Sequence, residues 1–301
     1  MTALRALLEG IVDYAGLFPP AGLDMSAAAA DYARHRRGPD AWMLGRFVVT
    51  AKHLPELALA RSSALVREMD AGAGWRVAAL LGADLEADLR ALTLFGATEA
   101  PRAVVDTLEG KATRKDEVHR LLDAVAPSSL VIYVEVPLEP DPTPLLTVIA
   151  ARGARAKVRS GGLSADAVPT PRQLARFLAG CAALRLPFKA TAGLHHPLRS
   201  EHAFTYAADS PRGVMHGFLN LFVAAALLRE GRIDAFGAEE LLAEGRVEAF
   251  VFDADELRVG PHRLSARELA AARGGFAISF GSCSFGEPLA DLRALGLLAA
   301  A

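Results

Sequence analysis

Short apolar runs alternate with segments of helical spacing along the whole chain. Residues 10–14, 46–52, 76–81, 102–107, 130–136, 154–160, 187–193 and 276–283 read as eight strands. Between most of them the apolar positions recur every three to four residues. In 173–184, Leu174, Phe177, Leu178, Cys181 and Leu184 form one stripe. Thr170 before Pro171 is an N-cap followed by proline in the first turn, and Ser265 with Glu268 is a capping-box pair. Eight strands alternating with helices in 301 residues predict a parallel (β/α)₈ barrel, the TIM-barrel architecture, as a single domain. A doubly wound open sheet is the competitor. The turn after the first strand, Ala15 to Pro20, is no glycine-rich dinucleotide loop.

One connection breaks the rhythm. Residues 194–275 are too long for a single strand-to-helix crossover. They hold apolar helical runs at 217–230 and 238–246 and a strand-like run at 247–253. Either 247–253 is a barrel strand and 10–14 is not, or the whole stretch is an insertion, a lid over the barrel mouth. The second reading is preferred here.

Side-chain alternation then places the polar residues. On 131–136, Ile132, Val134 and Val136 form the apolar face, which turns Tyr133 and Glu135 inward. By the same parity Lys157 and Arg159 share a face, and Lys189 and Thr191 point inward while Phe188 meets the helices. Glu135, Lys157, Arg159 and Lys189 thus converge from three successive strands. Burying that much charge is costly unless the groups pair or work.

Composition sharpens this. The formal charge is −2, so a basic nucleic-acid surface is not expected, and the longest apolar run is too short to span a bilayer. Two cysteines make no disulfide framework, and a reducing, cytoplasmic setting is the default expectation. The 33 basic residues comprise 28 arginines and only five lysines. Lys111 and Lys115 lie in a charged segment and read as surface. Lys52, Lys157 and Lys189 fall at predicted strand ends. Unlike arginine, lysine can shed its proton and act as a nucleophile. Two lysines side by side disfavour each other's charge, and a neutral amine can form an imine with a carbonyl compound. The run Phe280 to Gly286, with Gly281, Ser282 and Ser284, precedes a predicted helix and could present backbone N–H groups to an anion.

These segments, in order, resemble deoxyribose-phosphate aldolase and its class I aldolase relatives. Ile11-Val12-Asp13 with Leu17 and Pro19 is similar to the family's first strand, and Ala156-Lys157-Val158-Arg159-Ser160-Gly161 to its Schiff-base strand. Lys189-Ala190-Thr191-Ala192-Gly193 is similar to the strand that follows, and Phe280-Gly281-Ser282-Cys283-Ser284 to its phosphate loop. The resemblance covers residues 10–193 and 276–298. It implies Lys157 as the imine-forming lysine, Lys189 as the neighbour that lowers its pKa, and Asp13 as a proton-relay carboxylate. Gly161, Gly193, Gly281 and Ser284 would line the phosphate pocket. The family's fourth-strand aspartate has no secure counterpart; Asp106 is near it. Arg159 replaces a small residue, which implies a substrate charge the family's lacks.

Four of the eight histidines, His195, His196, His202 and His216, crowd the long connection. His195 and His196, directly after Gly193, are expected to contact substrate from the lid. Cys283 is a candidate thiolate beside a helix start. The expectation is a Schiff-base lyase acting on a small anionic, phosphorylated carbonyl compound. Lys157, Lys189, Glu135 and Asp13 would do the chemistry. Arg159, Lys52, the two histidines and the glycine-serine loop would bind. No cofactor or metal, no nucleic acid and no membrane enters this reading, and a homo-oligomer stays open. One alternative is a metal-dependent hydrolase or lyase using the His195–His216 cluster and Glu135. Another is a barrel that binds a phosphorylated ligand without catalysis.

Overall fold

A computed structural model describes residues 1–69 and 74–299. Eight parallel strands close into a barrel, and helices alternate with them along the chain. In chain order the strands are β1 (Val12–Tyr14), β2 (Leu44–Thr50), β3 (Trp75–Leu80), β4 (Ala103–Lys111), β5 (Val131–Glu135), β6 (Arg155–Arg159) and β7 (Phe188–Thr191). Next come β8 (Ser200–Ala203), β9 (Arg212–Met215), β10 (Val251–Phe252), β11 (Glu256–Val259), β12 (His262–Ser265) and β13 (Ala277–Ser282). The barrel order is β1-β2-β3-β4-β5-β6-β7-β13, with β13 returning to β1. The chain is a (β/α)₈ barrel, as the alternation predicts.

The eight predicted strands are the eight barrel strands. The largest departure is β4, which runs four residues past the expected end at Thr107 and carries a bulge where Val77 pairs Val105 but Ala78 pairs Thr107. The extra residue is Asp106, and the kink turns Thr107 and Glu109 toward the barrel interior beside Ala78 and Leu80. The 247–253 run is no barrel strand. It forms a short 3₁₀ turn at Val247–Ala249 and then β10, which joins β11 and β12 in a small antiparallel sheet.

Residues 194–275 are not lid throughout. Helix Phe218–Arg229 is buried on every face, and its Phe218 and Phe222 pack on Phe280 of β13. It is the crossover helix between the last two barrel strands, which explains its unbroken apolar sequence. The true additions are the β8–β9 hairpin, helix Ala235–Ala243 and the β10–β12 sheet. Among the described residues no helix is long and apolar enough to cross a membrane.

Candidate active site

The barrel interior holds five ionisable groups in contact. Lys157 Nζ lies 2.7 Å from Glu109 Oε2 and 3.0 Å from Glu135 Oε2. Lys189 Nζ lies 2.6 Å from Glu109 Oε1 and 2.6 Å from Asp13 Oδ2. Glu109 therefore bridges both ammonium groups, one oxygen to each. Strand register makes this possible, because Glu135 pairs Lys157 and Lys157 pairs Lys189 across β5, β6 and β7. The parity-based convergence of Glu135, Lys157 and Lys189 is thus present, and Asp13 joins it from β1.

Glu109 was not anticipated. The sequence after Thr107, Leu-Glu-Gly-Lys, reads as a charged loop, and unbroken parity with Ala103 and Val105 would turn Glu109 toward the helices; the bulge at Asp106 resets it inward. Asp106 is elsewhere: it accepts from Arg46 Nε at 2.5 Å and from Arg76 Nε at 2.7 Å. Glu109 is the carboxylate that β4 contributes to this cluster. Ser279, also unforeseen, donates to Asp13 Oδ2 at 2.7 Å. Asp13 Oδ1 accepts from the Arg46 backbone N–H at 2.8 Å, and any side chain at Gly45 would strike that oxygen. Asp13 is thereby held as an acceptor from three directions.

The electrostatics follow. Burial works against charge on Glu109, but the two ammonium groups outweigh it and hold its carboxyl down to about 2. Burial likewise opposes charge on Lys189, and the carboxylates of Asp13 and Glu109 reverse this and raise its pKa. Lys189 also lies 5.7 Å from the Tyr133 ring centroid, a further site for a cation. The two lysine nitrogens do not stand against each other as the sequence suggests. A shared carboxylate separates them, and Lys189 is held protonated.

Above this cluster opens a cavity of about 220 Å³. Lys157, Lys189, Glu109, Arg159 and Thr191 form its floor and side, with Gly193 and Gly281 in the wall. Phe18, Pro19 and Pro20 from the loop after β1 close one side, and Phe204 and Met215 from the β8–β9 hairpin close another. Gly193 has φ +73°, and a Cβ there would sit 2.8 Å from Gly161 Cα. Two glycines let the loops after β6 and β7 touch. Arg159 reaches 3.6 Å from Glu135 Oε1 while remaining 56% exposed at the rim.

Several expected binding residues lie elsewhere. Lys52 is exposed on a 3₁₀ turn after β2 and outside the cavity, since the strand ends at Thr50 and the side chain turns to solvent. Ser284 Oγ accepts the Glu287 N–H at 3.1 Å, and Ser282 Oγ accepts the Ser284 N–H at 3.3 Å. The serine hydroxyls thus serve the start of helix Gly286–Ala294, and Glu287 brings a negative charge there. The Ser284 N–H is thereby engaged by Ser282, while Gly281 and Cys283 of the same run line the cavity.

The histidines do not gather as metal ligands. His196 stacks on His202 with ring centroids 3.3 Å apart and binds Asp291 Oδ2 at 2.5 Å. His216 Nε2 bonds the Pro169 carbonyl at 2.6 Å. Glu135 is engaged by Lys157 and Arg159. Among the described residues no three His, Cys, Asp or Glu side chains form a metal-binding group. Only His195 of the four reaches the cavity.

No protein-family model matches the chain, and no curated protein or solved structure matches it. The barrel is a fold that commonly carries enzymes at the C-terminal ends of its strands, where this cluster lies. The fold alone does not fix an activity; the site's chemistry has to.

Proposed function

We propose that the chain is a lyase of the class I aldolase type that forms an imine between Lys157 and a small anionic carbonyl compound. The observation that carries this reading is Lys157 Nζ in the cavity wall, with a carboxylate on each side at 2.7 and 3.0 Å. An amine must shed a proton to attack a carbonyl, then needs protons delivered to expel water as the imine forms. Glu135, at the strand end and 12% exposed, is the carboxylate suited to take that first proton. Glu109 stays ionised between the lysines. Lys189 remains a cation and acts through Glu109 and Asp13, positioning both. The iminium then serves as the electron sink for breaking or making the bond one carbon away.

The cavity volume limits the substrate to a few carbons, and its apolar walls exclude bulk water. The substrate's anionic group is held by Arg159, the exposed cation at the rim, rather than by the 281–284 loop. A carboxylate or a phosphate would serve. The test is hydrogen–deuterium exchange at the carbon beside the carbonyl, followed by NMR in D₂O with pyruvate, acetaldehyde and glyceraldehyde 3-phosphate as probes. The expected result is enzyme-dependent exchange that disappears in Lys157→Arg. Exchange that persists in this variant would sink the proposal.

A further inference from the structure

The lysine chemistry leaves one group of reactive side chains in the cavity wall unused. Cys283, just beyond β13, lines the same cavity. Its Sγ lies 3.9 Å from His195 Nε2 and 3.6 Å from Tyr206 Oη. His195 Nδ1 lies 2.8 Å from Glu287 Oε2, and Tyr206 donates to the same oxygen at 3.1 Å. The imidazole thus has a carboxylate at one nitrogen and a thiol at the other. That is the arrangement in which a third group orients the base that activates a nucleophile.

The order is built by three separate pieces of chain. His195 follows β7, Tyr206 hangs from the β8–β9 hairpin, and Glu287 opens helix Gly286–Ala294. The remaining charged or titratable neighbours are few. Ser282 Oγ is 3.4 Å from His195 Nδ1, and the His196 ring is 6.3 Å from the His195 ring and engaged with Asp291. Tyr14, within electrostatic reach of Cys283, has its hydroxyl bonded to Asp31 at 2.8 Å. Burial disfavours an imidazolium at His195, yet Cys283 and Glu287 outweigh it and raise the ring's pKa to about 9.

We propose that Cys283, His195 and Glu287 form a second reactive centre, in which a Cys283 thiolate paired with a His195 imidazolium adds reversibly to small aldehydes entering the cavity. The sulfur lone pair forms the C–S bond, and the C=O π pair moves onto oxygen. The His195 Nε2 proton passes to that oxygen, giving a neutral hemithioacetal and a neutral imidazole. Reversal returns thiolate, imidazolium and aldehyde. Glu287 holds the Nδ1 proton throughout, and Tyr206 donates to Glu287.

The experiment is alkylation of the native chain by iodoacetamide across pH 5–10, read residue by residue by mass spectrometry. Cys181, the other cysteine, is fully buried and serves as the internal control. At pH 6 Cys283 should be alkylated at least about tenfold faster than glutathione under the same conditions. His195→Asn and Glu287→Gln should slow it. Acetaldehyde or glycolaldehyde should protect Cys283 competitively, and equally well in Lys157→Arg, which separates this centre from imine formation. A wild-type rate at pH 6 no faster than that of glutathione, no alkylation of Cys283 up to pH 9, or no aldehyde protection in Lys157→Arg would each overturn the proposal. The wild-type profile decides even where a variant fails to fold.

Discussion

Lys157 and Lys189 are register partners on neighbouring strands and share one carboxylate, yet their two halves of the cluster differ. The second carboxylate makes the difference. Around Lys189 it is Asp13, wholly buried and fixed by Ser279 and the Arg46 N–H. Around Lys157 it is Glu135, at a strand end beside the exposed Arg159. A proton leaving the deep half would strand a buried, fixed carboxylate without its cation. A proton leaving the upper half goes to a group already near solvent. The same residue type thus becomes a fixed charge in one place and a nucleophile in the other, through its neighbour's burial.

The sharpest way to break this comparison is to keep the charge at each lysine and remove only the nucleophile. Lys157→Arg should lower exchange activity by about 10⁴-fold, as loss of a nucleophile does, with the fold retained by circular dichroism. Substitution by methionine asks about stability instead. Lys189→Met strands Asp13 and Glu109 and should cost about 3–5 kcal/mol by urea denaturation. Lys157→Met should cost less, about 1–3 kcal/mol, because Glu135 can turn toward water and Arg159. Equal costs would erase the distinction between the halves.

Glu109→Gln removes the charge that both halves share and should reduce activity by about 10²-fold. It also predicts a change with pH. Glu109 is held down to about 2 from an ordinary 4.5. A depressed carboxylate contributes stability in full above its unfolded value and loses it as pH falls through the folded one. Wild type should therefore lose stability between about 4.5 and about 2, and the variant should show a flatter acid limb. Ser279→Ala is the mildest probe. It deletes one hydrogen bond to Asp13 and should cost about 1 kcal/mol, with activity little changed.

The upper and lower halves were not equally legible in the sequence. Alternation of apolar and polar positions located all eight barrel strands and turned Lys157, Lys189 and Glu135 inward, because period-two parity is enforced by the barrel wall. It failed at β4, where the bulge at Asp106 resets parity and hides Glu109. It was silent on Ser279, a small residue in an apolar strand. The hairpin that carries Phe204 and Met215 and the pairing of Tyr206 with Glu287 join residues far apart in the chain, and no spacing records them. The serines of the 280–286 run read as anion ligands, but their hydroxyls serve the helix start, a use visible only once the helix is in place.

The most direct measurement is reductive trapping. Borohydride is added to the protein with each carbonyl probe, and the modified lysine is located by peptide mass mapping. The account predicts a stable adduct at Lys157, with Lys189 unmodified. An adduct at Lys189, with Lys157 untouched, would contradict it.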